Sequence, residues 1–259
     1  MNKFGQQLRF WRTSRRLSQL DLAVEANVST KHISFIETGR AKPSKEMVMN
    51  LCEVLSLPLR NRNELITLAG FAEQYVRTPL SDNKKMEVAS ILELIVAKHE
   101  PFPAIVVDWY WNVVIRNKGF DKLIALMEAE NPQCIWLDNI AHWLMHPNGL
   151  RHVMTNWQEV AKTTLQRLNL ENQCAPKRHD ELIQSLYQYP GVANLLADKT
   201  LIVSTEPFIY LDIVVSGKTL RFLTTLTSFG TPLDITASEL LMEHYYPANA
   251  QTEQFLESL

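Results

Sequence analysis

Residues 18–40 read SQLDLAVEANVSTKHISFIETGR, and this stretch decides the fold of the first part of the chain. Asp21 lies three residues after Ser18, which is the spacing of a capping box at the start of a helix. Ser29 is a second cap of the same kind, eleven residues later. Gly39 ends the second helix, because glycine adopts the left-handed conformation without a steric penalty. The stretch predicts a helix-turn-helix, a motif that usually reads DNA.

The second helix of this pair has one apolar and one polar face. Val28, Ile33 and Ile36 form the apolar stripe and are expected to pack in a core. The polar face is left for a partner outside the domain, and it carries Thr30, Lys31, His32, Ser34 and Phe35. Two capped helices also occur in ordinary helical bundles. The caps, Gly39 and the basic sequence at residues 40–42 together favour the DNA-binding interpretation.

Charge is distributed unevenly along the chain. Residues 1–71 contain 11 Lys and Arg against 6 Asp and Glu, a net charge of +5. Residues 72–259 contain 15 basic and 22 acidic side chains, a net charge of −7. The basic part is the part with the helix-turn-helix. This asymmetry is expected when only one domain faces phosphate.

The whole chain limits the class of protein. A length of 259 residues makes two domains the natural expectation. No apolar run approaches the roughly 18 residues of a membrane-spanning helix. The three cysteines, Cys52, Cys134 and Cys174, are scattered and form no CxxC pair. A disulfide framework or a zinc ribbon is therefore disfavoured, and a cytoplasmic protein is expected.

Three further helices flank the central pair. The first covers about residues 3–16, another follows Ser44 as its cap, and the last begins at Pro58 and ends at Gly70. Five helices are thus predicted in an all-α domain of residues 1–71. The first helix also carries arginines that can reach phosphates or form a solvated basic face, namely Arg9, Arg12, Arg15 and Arg16.

The rest of the chain predicts an α+β domain. Residues 72–99 are interpreted as a linker, at 72–83, and a connecting helix. β-Branched and alternating patterns predict strands at 104–108, 111–116, 208–215, 218–227 and 239–246. Apolar residues at helical spacing predict helices at 119–129, 139–145, 150–170 and 180–187. We therefore expect an antiparallel sheet with helices packed to one side, a PAS-like arrangement, over residues 100–259.

The N-terminal domain resembles a known family through residues 4–44, FGQQLRFWRTSRRLSQLDLAVEANVSTKHISFIETGRAKPS. This stretch is similar to the XRE-type, lambda-repressor-like helix-turn-helix of lambdoid phage repressors and Cro. Its continuation, LSLPLRNRNELITLAGFAEQY, is similar to the version found in MmyB-like bacterial regulators. The resemblance implies binding to a double-stranded DNA operator, and a homodimer that reads two half-sites.

The same resemblance implies roles for individual residues. Gln19 is expected to contact the DNA backbone, and Thr30, Lys31 and Phe35 are expected to face base edges, with Ser34 beside them. Many phage-type relatives have glutamines at the base-reading positions, and this chain does not, so no operator sequence is carried over. The residues expected to contact phosphate are Ser29, Arg40, Lys42 and Ser44.

The C-terminal domain resembles the ligand-binding domain of the MmyB-like regulators. The resemblance is carried by FPAIVVDWYWNVVIRNKGF, NGLRHVMTNWQEVAKTTLQRL and LLMEHYYPANAQTEQFLESL. It implies a PAS-like sensor for a small apolar or amphipathic ligand, for which a fatty acid is the usual candidate. No other cofactor is predicted.

Aromatic and methionine side chains suit such a pocket. The candidate ligand-binding residues are Trp111, Asn117, Phe120, Trp143, Met154, Trp157 and Arg221. Asn117 and Arg221 are the candidate polar anchors, and the arginine would suit a carboxylate. The alternative for each aromatic residue is a place in the domain core. Trp109 and Trp136 are also candidates for a surface that contacts a partner.

Signals of catalysis or metal binding are weak. The glycines form neither a GxGxxG sequence nor a P-loop. His142 and His146 have the i, i+4 spacing of a zinc site but lack the HExxH glutamate. We therefore predict no catalytic and no metal-binding residues. The chain is interpreted as a ligand-responsive transcription regulator; the alternatives are a regulator whose C-terminal domain only dimerises or binds a protein, and an enzyme with a DNA-binding domain.

Overall fold

The computed structural model describes residues 3–75, 83–174, 179–198, 208–229 and 235–259. The chain forms two compact units. The first consists chiefly of residues 1–78, and the second chiefly of residues 79–172, 176–230 and 239–259. Most of the predicted linker, including Pro79, lies outside the described residues. Within the described ranges, no helix is long and apolar enough to cross a membrane.

Five helices build the first unit. They are α1 (Lys3–Ser14), α2 (Gln19–Glu25), α3 (Thr30–Thr38), α4 (Lys45–Val54) and α5 (Leu59–Leu68). The predicted all-α domain of five helices is therefore confirmed. Helix α1 ends earlier than predicted because Arg16 has a φ of 57°, a left-handed conformation that does not continue a helix.

The predicted caps are present. Ser18 Oγ accepts a hydrogen bond from the Asp21 amide, and the Asp21 carboxylate accepts one from the Ser18 amide, which completes the capping box. Ser29 Oγ and Ser44 Oγ accept hydrogen bonds from the amides of His32 and Met47, and so cap α3 and α4 without a reciprocal bond. Gly39 ends α3 with a φ of 78°, in the left-handed region where glycine is favoured. These local bonds fix where each helix of the motif begins and ends.

Arg12 lies inside the first unit rather than on its surface. It binds both carboxylate oxygens of Glu37, at 2.6 and 3.1 Å, and donates to the Leu17 carbonyl. Gln19 Nε2 donates to the same carboxylate at 2.8 Å. The expectation that Arg12 reaches phosphate is wrong, because its guanidinium compensates a buried charge on α3. One carboxylate thereby joins α1, α2 and α3.

The second unit contains a five-stranded antiparallel sheet. Its strands are β1 (Ala104–Val107), β2 (Val113–Arg116), β3 (Tyr210–Val215), β4 (Lys218–Thr227) and β5 (Leu241–Pro247). Their order in the sheet is β2-β1-β5-β4-β3. Ser216 and Gly217, with φ values of 51° and 68°, form the predicted two-residue turn between β3 and β4.

Seven helices follow the first five in the described residues. They are α6 (Asn83–Ala97), α7 (Lys118–Glu130), α8 (Ile140–Met145), α9 (Trp157–Cys174), α10 (Asp180–Leu186), α11 (Ile235–Ser238) and α12 (Ala250–Glu257). Residues 235–238 group with the first unit. The sheet with its helices confirms the predicted α+β architecture.

Both faces of strand β1 are covered. Ile105 and Val107 belong to the main core of the second unit. Ala104 and Val106 belong to a smaller core on the other face, to which α6 contributes Leu92 and Val96. A strand buried on both faces has an unbroken apolar sequence, and this explains the run AIVV.

The predicted helix over residues 150–170 is partly wrong. Residues 150–152 form a short 3-10 turn, Met154 pairs with Ile213 of β3, and α9 begins only at Trp157. The Asn156 side chain accepts from the Asp212 amide and donates to the Tyr210 carbonyl. Backbone groups of residues 153–155 bond to β3 as well, so they are not available to a helix.

Replacing Glu37 with alanine is expected to destabilise the first unit by about 3–5 kcal/mol, because the buried Arg12 charge loses its partner. Chemical denaturation of the full chain, with hydrogen exchange measured at α3 amides, tests this. Glu25→Ala is the matched control, since Glu25 is exposed on α2, and it should change stability by less than about 0.5 kcal/mol. Equal losses in the two variants would contradict the assigned role of Glu37.

Candidate functional site

One face of α3 presents a cluster of cationic and aromatic side chains. Lys31 is exposed, and its Nζ lies 5.5 Å from the centre of the Phe35 ring. The Arg40 guanidinium lies 5.9 Å from the same ring. Thr30 and Ser34 are half-buried beside them. A half-buried ring close to two exposed cations gives this surface both an apolar contact and hydrogen-bond donors.

The other predicted DNA-binding residues lie around this face or at helix starts. Ser29, Lys42 and Ser44 are exposed. The hydroxyl oxygens of Ser29 and Ser44 accept from the backbone as caps, so their O–H hydrogens remain able to donate to a phosphate. Gln19 is half-buried, and its amide nitrogen donates to Glu37. That hydrogen bond fixes the orientation of the Gln19 side chain at the start of α2.

The second unit contains a partly open cavity of about 160 Å³. Its apolar lining consists of Trp111, Ile140, Ala141, Leu144, Leu150, Val160, Ile209, Leu211, Leu226 and Tyr245. Its polar lining consists of Thr163, Thr164, Arg167, Thr224 and Glu243. An apolar cavity with a few polar groups is the usual form of a small-molecule site.

Trp111 lies on the cavity wall and has an unusual backbone conformation. Its φ is 68°, which is rare for a bulky residue. The Asp108 carboxylate accepts from the amides of Tyr110 and Asn112, on either side of Trp111, and so holds the loop in place. The Trp111 carbonyl accepts from the Ile140 amide. The indole Nε1–H is buried and has no hydrogen-bond partner.

Glu243 and Tyr245 were missed in the analysis of the sequence. Burial raises the pKa of Glu243 to about 7, although a hydrogen bond from Tyr245 and the charge of Arg167 oppose the change. Burial also raises the pKa of Tyr245, and the neighbouring Glu243 adds to that effect. Glu243 keeps some accessible surface, as expected for a side chain on a cavity wall. The alternation in LLMEHYY was a usable signal, because residues two apart share one face of a strand.

The other residues predicted to bind a ligand have partners inside the protein. Phe120, Trp143, Met154 and Trp157 belong to the main core. The indole nitrogens of Trp143 and Trp157 donate to backbone carbonyls. Among the seven candidates, only Trp111 belongs to the cavity lining.

The two predicted polar anchors also bond within the protein. Asn117 Oδ1 accepts from the amides of Ala104 and Phe120, and Nδ2 donates to the carbonyls of Val96 and Phe102. The Asn117 side chain therefore caps α7 and holds β1. Arg221 forms two 2.8 Å bonds to the Asp212 carboxylate.

His142 and two of the cysteines, Cys52 and Cys134, interact with groups inside the protein or are buried. His142 Nδ1 lies 3.0 Å from the Tyr189 hydroxyl, and its Nε2 lies 3.2 Å from the Ser185 hydroxyl. Burial raises the pKa of Cys52 to about 12 and also raises the pKa of Cys134, which keeps both thiols protonated. The part of the chain that the structure describes has no cluster of three His, Cys, Asp or Glu residues suited to a metal ion.

Comparison with known protein families places the chain. Residues 88–259 match the MmyB-like transcription regulator ligand binding domain. The chain belongs to the MmyB-like transcription regulators. Residues 3–65 of this regulator match a helix-turn-helix domain. Both matches confirm the family predicted from the sequence, and they assign the two units to a DNA-binding type and a ligand-binding type of domain.

Individual relatives add little to this assignment. The regulator is 38% identical over 76 residues to the uncharacterized HTH-type transcriptional regulator RghRB of Bacillus subtilis (strain 168). That match covers 29% of this chain and spans about half, 52%, of the relative. A solved structure of an RNA-binding light-oxygen-voltage receptor matches across the whole chain and 65% of the receptor, with 13% identity and a TM-score of 0.26. A likeness this low carries no argument about the regulator.

The raised pKa of Glu243 predicts a pH dependence of stability. Between the ordinary value of 4.5 and about 7, the folded regulator holds a proton that the unfolded chain has lost. The free energy of unfolding should therefore fall as pH rises through this window and level off above it. Glu243→Gln should remove this part of the decline.

Thermal unfolding of the full chain between about pH 5 and about pH 8 measures the effect. Glu253→Gln is the control, because Glu253 is exposed on α12, and it should keep the slope of the unmodified chain. An unchanged slope in Glu243→Gln would show that Glu243 ionises normally.

Proposed function

We propose that this MmyB-like regulator binds a double-stranded operator through α3. Its affinity for the operator is proposed to change when a small ligand binds in the cavity of the second unit. The cluster of Lys31, Phe35 and Arg40, at α3 and just after its end, supports the DNA contact, because it combines exposed cations with an apolar ring. The cavity supports the ligand, because natural cores are packed with few voids of this size.

The residues of the first unit divide into two kinds of DNA contact. Lys31 is suited to donate to guanine O6 or N7, and Phe35 to touch a thymine methyl, with Thr30 and Ser34 nearby. The contacts to phosphate come from Gln19, Ser29, Arg40, Lys42 and Ser44. Phosphate contacts position the helix and depend on salt, whereas base contacts choose the sequence.

A homodimer suits this arrangement. Two copies of α3 would enter successive major grooves about 34 Å apart on a pseudo-palindromic site. One domain of this size offers few base-reading side chains, so a second copy is needed for a specific site. The size of the complex on DNA, measured by analytical ultracentrifugation, distinguishes a dimer from a monomer.

The ligand is proposed to be small and apolar or amphipathic, and the sequence resemblance suggests a fatty-acid-like molecule. Most of the cavity lining is apolar, which favours an apolar or amphipathic ligand over a highly charged one such as a nucleotide. The ligand acts by binding the DNA-competent and the DNA-incompetent state with different affinities.

Mass spectrometry of small molecules released from the denatured protein tests the sensor proposal. A stoichiometric lipid-like compound that changes operator affinity supports it. A compound that binds without changing operator affinity would refute the sensor function. Absence of any bound molecule, together with unchanged dimer stability in lipid extracts, would favour a second unit that only dimerises or binds a protein.

Lys31→Ala is expected to relax the preference at one base pair, with a loss of about 1–3 kcal/mol on the preferred sequence. Selection of binding sites from a random DNA library measures the preference. Lys3→Ala is the control, since Lys3 is exposed on α1 and lies outside the proposed interface. An unchanged selected motif would remove Lys31 from the base-reading residues.

Lys42→Ala is expected to weaken binding to all sequences by a similar factor, because a phosphate contact carries no sequence information. The slope of log K against log salt concentration should fall by about 1. Titrations of specific and random DNA at several salt concentrations give both quantities. A loss confined to the specific site would instead make Lys42 a base-reading residue.

A further inference from the structure

We propose that His99 and His244 form a pH-responsive contact between the end of α6 and the sheet. The contact holds the end of α6 in place when the two rings are neutral, and it loosens when both rings carry a proton. This histidine pair lies on the face of the sheet that α6 covers. The inference goes beyond the proposed function, because it depends on neither operator nor ligand.

His99 connects the end of α6 to the central strand of the sheet. It lies two residues after Ala97, the last residue of α6, and its Nε2 is 3.1 Å from the Tyr245 carbonyl oxygen of β5. A carbonyl oxygen only accepts hydrogen bonds, so Nε2 carries the hydrogen of this bond. Helix α6 itself packs on the sheet through Leu92 and Val96. The His99 side chain therefore extends that packing beyond the end of the helix.

His244 meets His99 on this face of β5. The two ring centres are 5.0 Å apart, and the rings are nearly perpendicular, at 77°. Glu243 and Tyr245 line the cavity, so the side chain between them lies on the opposite face of the strand. Met242, which shares that face, packs in the smaller core with α6. The Nδ1 atom of His244 is buried and has no hydrogen-bond partner.

Most side chains around the histidine pair carry no charge. The residues opposite its β5 member in the neighbouring strands are Ala104 and Thr225. Two aromatic rings lie against its other member, Phe102 at 5.8 Å and Tyr246 at 4.7 Å between ring centres. The side chains with which α6 covers this face are apolar. Of these neighbours, Tyr246 is the one with an ionisable group.

The charged residues closest to the pair along the chain are directed elsewhere. Lys98 is exposed, and the Glu100 carboxylate accepts from two backbone amides at the start of α7. Farther along this face of β4, Arg221 forms an ion pair with Asp212. Among the residues that the structure describes, no carboxylate forms an ion pair with either histidine. A charge on the pair is therefore not compensated by a neighbouring acid.

Uptake of a proton by both rings is unfavourable in the folded protein. A protonated imidazole carries hydrogen on both nitrogens, so His244 would bury an N–H at Nδ1 without an acceptor. It would also face the charge of His99 across 5.0 Å. Burial, and then the charge of His99, lower the pKa of His244 from its ordinary value of 6.5. Movement of the end of α6 away from β5 relieves both effects.

The lowered pKa of His244 fixes the direction of the response. The unfolded chain takes up this proton more readily than the folded chain does, so the contribution to stability is complete above about pH 6.5 and is lost as pH falls. Glu243 acts in the opposite direction, because its pKa is raised. The measurement must therefore report on α6 itself rather than on the whole chain.

Hydrogen exchange of the full chain at about pH 7.5 and about pH 5.5 tests the proposal. After correction for the intrinsic effect of pH on exchange, protection of the amides at residues 92–97 should fall about tenfold at the lower pH. Amides of α9, which packs on the cavity side, should keep their protection. An NMR titration of the histidines should place the midpoint of His244 below 6.5.

Three variants separate the pair from the rest of the fold. His244→Phe keeps a ring beside His99 and cannot take up a proton, so the protection of α6 should no longer fall. His99→Gln keeps a donor for the Tyr245 carbonyl and removes a charge, so the midpoint of His244 should rise. His152→Gln is the matched control, since His152 is exposed, and it should behave like the unmodified chain. Exchange and titration of the unmodified chain decide the matter when a variant does not fold.

Several results would overturn the assignment. These are protection in α6 that changes no more than in α9, a His244 midpoint at or above 6.5, and equal pH dependence in His244→Phe and His152→Gln. Equal loss of protection in all helices at the lower pH would also overturn it, because that is general acid unfolding. None of these readouts uses operator or ligand, so a failure of the proposed function would leave the assignment standing.

Discussion

A buried carboxylate must be compensated, and the two units meet this constraint in different ways. Glu37 receives the Arg12 guanidinium and the Gln19 amide, so its charge becomes a link between three helices. The geometry of the DNA-facing surface depends on that link, because α3 cannot rotate without breaking it. Among the residues that the structure describes, no cation forms an ion pair with Glu243, and burial raises its pKa to about 7 instead. The first carboxylate is compensated by an ion pair, and the second keeps its proton to a higher pH.

Local features of the sequence predicted much of the first unit. Ser18, Ser29, Ser44 and Gly39 act on amides and carbonyls within a few residues of themselves, so their effect does not depend on the rest of the fold. The position of Arg12 could not be found this way, because its partner lies 25 residues away. A sequence pattern shows on which side of a helix an arginine lies. Only the tertiary structure shows which residue that arginine contacts.

In the second unit, the helical spacing of apolar residues led to a wrong prediction. Leucine and valine at residues 150 and 153 have helical spacing, yet this segment bonds to β3, because Asn156 supplies side-chain bonds to that strand. The aromatic residues were equally ambiguous, because they suit either a ligand pocket or a domain core. Trp143 and Trp157 resemble pocket residues in sequence, but their indole nitrogens are bonded to carbonyls in the core. Whether a tryptophan donor has a partner depends on tertiary structure, and this property separates Trp111 from the other two.

The energy available to a ligand is small, and this limits how it can act. A change of tenfold in operator affinity requires about 1.4 kcal/mol of difference between two states. A single hydrogen bond contributes about 0.5–1.5 kcal/mol, so one bond is sufficient only when it forms in one state and is lost in the other. The backbone of Trp111 holds an energy of this size, because its left-handed conformation costs about 1–3 kcal/mol and is maintained by hydrogen bonds to Asp108. For the proposed sensor function, the loop at residues 108–112 is therefore a more suitable element than the packed apolar walls, because Trp111 lies on the cavity wall and its backbone is strained.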